Sequence, residues 1–398
     1  VINYLIRRSA QMLVVLFLSA VASYALLSAA PGGPLQGLLQ QTQSSTRKID
    51  KEDIARIRAQ FELDLYFSVR FTRWLAGVPR GPLSIGGREL LGGVVVGCRI
   101  PVEAVVRSGG EETLQTVGCE QLVSMRDLAG RRTSRGIILG DFGNSWAILR
   151  DRPVSELLWS RLPRTLQLQI AATLISLLIG VPLGLYSAVR QYSRFDYVVT
   201  TSSFIGSSMP TFFFGLILIL VFSILFKRAG WAYLPPGDAA GVRAYTMPLL
   251  GRVEAQSLLD QALRMIMPVT VLVLVSVAGW SRYLRSSMLE VLRQDYVRTA
   301  RSKGVRERFV IVRHAMRNAL IPFITIVVFA LPGAFGGAVI TETVFNWPGM
   351  GRLFVDALGR NDYPVTMAIL LISAALTVAA TLLSDVLYTV VDPRIRVS

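Results

Sequence analysis

Histidine is all but missing from this chain, since His314 is the only one in 398 residues. That excludes a multi-histidine metal site and the usual Ser/His and Cys/His catalytic dyads. Lysine is scarce too. None of Lys48, Lys51, Lys227 and Lys303 follows a glycine, so the chain carries no phosphate-binding loop of the glycine–lysine type. If ATP drives this protein, another chain binds it. Carboxylates are nearly absent from the long apolar runs: Asp385 lies deep in the last one, and Glu342 stands at the outer end of the fifth. A proton- or sodium-coupled carrier usually needs intramembrane carboxylates or broken helices around its ion. Asp385 reads better as a carboxylate near the inner interface that reaches backbone groups or a loop arginine.

What the chain has in abundance is apolar sequence, 52% of residues at a mean hydropathy of +0.49, in runs that alternate with charged stretches. This is the pattern of a polytopic membrane protein. Six spans are expected, over Ser9–Ala30, Thr165–Val189, Tyr197–Phe226, Met265–Trp280, Ala319–Ile340 and Val365–Val391. For the first, a signal peptide cut after Ser28-Ala29-Ala30 is the competing reading, but the run approaches the roughly 20 residues a bilayer needs. Arg7 and Arg8 then hold the N-terminus in the cytoplasm, and six spans bring the C-terminus back there. The net charge of +16 sits largely in the short segments on that side, as the positive-inside rule requires.

Outside the membrane lies the polar stretch 31–163, since long loops translocate largely regardless of charge. Ile49–Tyr66 is predicted to be an amphipathic helix with Ile54, Ile57, Phe61 and Leu65 on one face. Over 81–136, Gly-Gly pairs punctuate β-branched runs, the texture of a small β-rich insert. The only cysteines, Cys98 and Cys119, both fall there. Joined in an oxidising exterior they would close a loop worth about 3 kcal/mol by chain entropy; the alternative is two unpaired buried thiols. Two more external loops, Lys227–Arg264 and Thr341–Tyr363, are rich in turn residues. In span three, Ser207 and Ser208 precede Pro210; they either line a polar path or satisfy backbone groups freed by the proline. Gly180 with Gly184, and Gly333 with Gly337, have the spacing that permits close helix approach, as at a subunit interface, though such pairs are common in membrane helices.

The most informative stretch is cytoplasmic, Leu284–Pro322. Leu284, Met288, Val291 and Leu292 recur at helical spacing before a turn, and Val305, Phe309, Val312 and Met316 after it. Gly304 stands where a helix wants a left-handed C-terminal residue, with Arg301 and Lys303 suited to the negative end of the helix dipole. The expectation is a hinged pair of short amphipathic helices. A DNA-binding helix-turn-helix has a similar profile, but a segment flanked on both sides by membrane spans does not enter a major groove. A merely solvated, topology-fixing loop is the plainer alternative.

These residues carry a resemblance. Asp295-Tyr296-Val297-Arg298-Thr299-Ala300-Arg301-Ser302-Lys303-Gly304 and Arg313-His314-Ala315-Met316-Arg317-Asn318-Ala319-Leu320-Ile321-Pro322 resemble the cytoplasmic EAA loop of permease subunits in dipeptide, oligopeptide and nickel ABC importers. Arg298, Thr299 and Ala300 take the place of the Glu-Ala-Ala triplet, a departure similar to that of the peptide branch. Arg152-Pro153-Val154, Arg161-Leu162-Pro163, Ser208-Met209-Pro210-Thr211-Phe212, the run from Glu342 to Gly351 and the closing Asp392-Pro393-Arg394 resemble the same family; the 81–136 insert does not. The resemblance implies an all-α polytopic membrane protein with six transmembrane helices of the type I ABC importer kind, plus the small extracellular β-rich insert between spans one and two.

Its parts would be 1–30 for the N-terminus and span one, 31–163 for the extracellular region, and 164–398 for the permease core, with the coupling loop at 281–318. The resemblance also implies a second related permease, two ATPase subunits carrying ATP and Mg, and an extracellular or periplasmic solute-binding protein in a bacterial inner membrane. Arg298, Thr299, Ala300, Arg301, Lys303, Gly304, Val305, Phe309 and Val312 are the expected ATPase contact, and no catalytic or metal-binding residue is expected in this chain. The reading from another class is a stand-alone secondary carrier or channel; within the family, nickel or another small solute replaces peptide.

Overall fold

A computed structural model describes residues 2–29, 51–85, 88–108, 111–131 and 134–391. The closing Asp392-Pro393-Arg394 motif and the surroundings of Gly333 and Gly337 lie outside what it describes. Six helices among the described residues are long and apolar enough to cross a membrane: Ile6–Ala29, Val154–Val189, Thr211–Arg228, Leu258–Leu292, Glu307–Ala330 and Tyr363–Leu387. The chain forms two compact units, one of Val1–Leu16, Trp159–Val355 and Ile372–Ser398, the other of Phe17–Leu158 and Asp356–Leu371.

The second unit holds the polar insert. After helix α1 (Ile2–Ala29) come α2 (Lys51–Gln60) and α3 (Phe67–Ala76), so the expected helix over Ile49–Tyr66 stops short. The break follows Gln60, in a turn where Glu62 has a φ of 58° and gives its carboxylate to the buried Arg73. Two short strands, β1 (Leu83–Ile85) and β2 (Arg88–Leu90), precede a long antiparallel ribbon of β3 (Val95–Ser108) and β4 (Glu111–Ser124). Its base is fastened by Val96, Val123 and Leu128 packed on Leu65, and by Asp64, which takes a fork of two 2.9 Å hydrogen bonds from Arg131. Cys98 and Cys119 are bonded across the ribbon, Cα atoms 5.9 Å apart. A free two-stranded ribbon is marginal in water, and this crosslink sits where the register shifts repeatedly.

In the first unit, α4 (Val154–Val189) leads to α5 (Arg194–Ser208) and α6 (Thr211–Leu218), the last continued by a π-helical stretch, Ile219–Leu225. The single kinked span expected over Tyr197–Phe226 is therefore two helices. Met209 is extended (φ −82°, ψ 129°), as the residue before a proline prefers. Ser207 and Ser208 donate their hydroxyls to the Phe204 carbonyl at the end of the interrupted helix. A hairpin, β5 (Tyr245–Met247) and β6 (Gly251–Val253), precedes α7 (Leu258–Leu292). Gly180 and Gly184 face α7 inside the chain: a β-carbon at Gly184 would lie 2.6 Å from the Ser281 carbonyl oxygen.

The hinged helix pair does not exist as such. Leu284 and Met288, both fully buried, extend α7 well past the expected end at Trp280, because they pack on Ala188, Ala315, Ala319 and Phe323. The second half likewise runs without a break from Glu307 through a π-helical turn, Val310–Met316, into the next long helix. Only α8 (Asp295–Ser302) stands by itself, ahead of α9 (Arg317–Gly337). The loop expected over Thr341–Tyr363 holds α10 (Val339–Val344) and α11 (Met350–Gly359), and α12 (Tyr363–Val391) closes the chain. Near the end of α12, Asp385 accepts a 2.9 Å hydrogen bond from Arg8 Nε of α1, so the deep carboxylate is half of an ion pair.

Candidate coupling site

The short helix α8 is built by its ends. Gln294 before it is extended (φ −71°, ψ 148°), and Lys303 and Gly304 close it. Gly304 has a φ of 74°, its N–H donates to Arg301 O at 2.9 Å, and the Val305 N–H reaches back to Ala300 O at 3.3 Å. Those paired bonds are a Schellman turn, which needs a left-handed residue where Gly304 stands. Across the turn the Arg301 guanidinium makes two hydrogen bonds to Glu307, at 2.7 and 3.2 Å. The turn is thus stapled from both sides.

One face of α8 is apolar and hidden. Val297 and Ala300 pack with Val310 against Val291 and Leu292, at the junction of α7 and the helix that follows. Asn318 Nδ2 donates to Tyr296 OH at 2.8 Å, fastening α8 to the start of α9. The opposite face, with Arg298, Thr299, Arg301 and Lys303, is exposed. Arg298 makes only a loose 3.7 Å pair with Asp295.

Among the residues expected at the ATPase contact, Ala300 is turned inward while Val305, Phe309 and Val312 are turned out, 38%, 50% and 54% exposed. The two stripes of the sequence thus have different fates. Leu284 and Met288 serve the chain's own core, whereas Val305, Phe309 and Val312 leave an apolar strip beside exposed Arg298, Arg306, Arg308 and Arg313. Arg308 lies over the Phe309 ring, 5.3 Å from its centroid.

Two buried carboxylates join helices of this unit, Asp196 close to this region and Glu342 beyond the far end of α9, and sequence periodicity misses both. Asp196, at the start of α5, accepts 2.6 and 2.7 Å hydrogen bonds from Arg285 of α7, together with bonds from the Ser187 hydroxyl and the Tyr192 N–H. These donors, Arg285 foremost, hold its carboxyl well below the usual carboxylate range. Glu342 is fully buried; it accepts from the Thr165 hydroxyl at 2.7 Å and the Arg352 N–H at 2.9 Å, and Thr165 in turn accepts the Met350 N–H. One carboxylate thereby joins α4, α10 and the first turn of α11. The neighbouring Trp347 donates its indole N–H to Arg164 O at 2.9 Å. The only sequence signal was an isolated acid beside Phe345, Trp347 and Gly349 in a stretch read as loop. Among the described residues no group of His, Cys, Asp and Glu could hold a metal ion.

Residues 180–397, more than half of the chain, match the family described as binding-protein-dependent transport system inner membrane component. The chain belongs to this family. It is 45% identical over 260 residues to the oligopeptide transport system permease protein AppB of Bacillus subtilis (strain 168), covering 65% of this chain and 77% of that one. It is 37% identical over 273 residues to the dipeptide transport system permease protein DppB of Escherichia coli (strain K12), with 66% and 78% covered. With the di/tripeptide transport system permease protein DppB of Pseudomonas aeruginosa (strain UCBPP-PA14) it shares 40% over 242 residues, 59% and 70% of the two chains. The permease is thus a multi-pass inner-membrane component of a transport system, not an enzyme in itself, and the matched region contains α8, its Schellman turn and Glu342.

Proposed function

We propose that this permease is one of two related membrane subunits of an ATP-driven peptide importer, forming half of the translocation pathway. Two ATPase subunits, which carry ATP and Mg, engage α8 from the cytoplasm, and a solute-binding protein delivers peptide from outside. The peptide substrate is taken from the names of the relatives. The observation that carries the coupling role is the exposed strip of Val305, Phe309 and Val312 beside the arginines of α8. A docked partner would bury that apolar strip while acidic residues at its rim meet the guanidinium groups.

The mechanics follow from what α8 holds. Because Val297 and Ala300 are seated between Val291, Leu292 and Val310, a push on α8 moves the ends of two long helices together. The Asp196–Arg285 pair carries the same displacement to α5. The extended residue before Pro210 then lets α5 swing relative to α6, as a hinge at a helix terminus does. Each short basic segment lies on one side of the six spans, which puts both termini in the cytoplasm.

The test is Phe309→Glu in the assembled complex. Phe309 is half exposed and supports no core, so the variant is expected to insert and fold as wild type. It should release the ATPase subunits on purification and lose peptide uptake. Normal uptake would refute the coupling role, and failure of any peptide to stimulate ATP hydrolysis by the wild-type complex would refute the substrate.

A further inference from the structure

The second unit contains a cavity of about 870 Å³ that the transport reading does not use. Its walls are Tyr24 from α1, Arg70 and Trp74 from α3, Phe61, Trp146, and Tyr363 from α12. The rings form a continuous lining, with centroids 5.1 Å apart for Tyr24 and Trp74, 4.7 Å for Phe61 and Trp146, and 5.9 Å for Trp146 and Tyr363. Volumes of this size suit a small ligand or the head of a larger one.

The polar groups on the wall are unevenly matched. The acids already have partners: Glu62 is taken by Arg73, and Asp141 accepts the backbone N–H groups of Arg135 and Gly143 at 2.7 and 2.9 Å. Arg150 and Asp151 bring opposite charges on adjacent residues. Two donors, in contrast, lack an acceptor among the described residues: Trp74 Nε1 and Arg70 Nε, one turn apart on α3. Arg70 otherwise makes a 3.1 Å bond to the Ser28 hydroxyl, hydrogen-bonds the Tyr24 side chain and lies over its ring. A buried donor without an acceptor is costly, so the unmet demand in this cavity is for acceptor oxygen.

Depth selects the source of that oxygen. Tyr24 and Ser28 lie in the final turns of the apolar stretch Ile6–Ala29, and Tyr363 and Met367 in the first turn of Tyr363–Leu387. The cavity therefore stands where two spans leave the hydrocarbon, the level of lipid headgroups and of aromatic belts. Below it α1 exposes Phe17, Leu18 and Leu26, a surface along which acyl chains can lie.

We propose that this cavity is a phospholipid site, in which the headgroup phosphate accepts from Arg70 and Trp74 and the acyl chains run down α1. The site is independent of the substrate that the permease carries.

The complex, purified in mild detergent and washed, is expected to retain phospholipid, read as a mass adduct on the permease by native mass spectrometry. Refilling delipidated complex with phosphatidylglycerol or phosphatidylethanolamine should raise its unfolding temperature, whereas inorganic phosphate and a dipeptide should not. Trp74→Phe keeps an aromatic ring, though a smaller one, and removes the N–H, and Arg70→Gln removes the charge; each should weaken retention about tenfold, the value of a hydrogen bond to a charged group. Equal retention by wild type and a folded variant would overturn the proposal. So would equal stabilisation by inorganic phosphate, which would mark a small-anion site, or by dipeptide, which would mark a peptide site. The comparison of probes on wild type stands even if a variant does not fold.

Discussion

Gly304 offers a graded test of the proposed coupling role of α8. No atom lies within 4 Å of where its β-carbon would be, so Gly304→Ala introduces no clash, and its whole cost is the left-handed φ of 74°. That cost is about 1 kcal/mol, a roughly fivefold shift between closed and frayed forms of the turn. Gly304→Pro is different in kind. Proline sets φ near −65° and has no N–H, so it removes the 2.9 Å bond to Arg301 O as well as the turn geometry, a loss of about 3 kcal/mol or more. The Val297 and Ala300 packing and the Arg301–Glu307 staple survive in the alanine variant and lose their register in the proline variant. In proteoliposomes, Gly304→Ala should lose less than about fivefold of its uptake. Gly304→Pro should lose nearly all of it while ATP hydrolysis by the complex persists. If both variants transport as wild type, or both fail alike, the turn is not what conveys the push.

Three further outcomes follow from the buried carboxylates and the crosslink. Because Asp196 titrates below its ordinary value in the folded chain, its contribution is fully present above the usual carboxylate range and is lost as pH falls through the lowered pKa. Asp196→Asn should flatten that acid limb of thermal stability and cost about 3 kcal/mol at neutral pH, since it strands Arg285; an unchanged acid limb would show that the pair does not contribute. At Gly349 a β-carbon would collide with the Glu342 carboxyl, so Gly349→Ala should cost about 2 kcal/mol and lower the unfolding temperature by several degrees. Gly359→Ala, with open space around it, is the control expected to change little. Cys98→Ser with Cys119→Ser should cost the insert about 3 kcal/mol, read as faster proteolysis within 95–124.

Much of the architecture is legible without coordinates, because apolar length and basic loops report on the bilayer, which is the same solvent for every span. The six spans are of this kind, while the insert and the left-handed Gly304 were legible from local turn and capping chemistry. Both cysteines fall within one short stretch, and the structure joins them. The stretch Leu284–Pro322 was legible in part. Helical spacing marked Leu284, Met288, Phe309 and Val312 equally, yet periodicity reports only that a face is apolar, never which neighbour covers it.

Tertiary packing decided the rest. Ala188, Ala315, Ala319 and Phe323 cover Leu284 and Met288, so α7 runs on where a hinge was expected, while Phe309 and Val312 are left uncovered. Nor can a linear pattern reveal that Asp196 meets Arg285 or that Glu342 meets Thr165, residues far apart in the chain whose charges and hydroxyls are buried only because they meet. What the order of residues determined was local: where the chain enters lipid, where it turns, which faces avoid water. Which buried groups find each other depends on the assembled helices, since a carboxylate is tolerated away from water only when distant donors arrive to satisfy it.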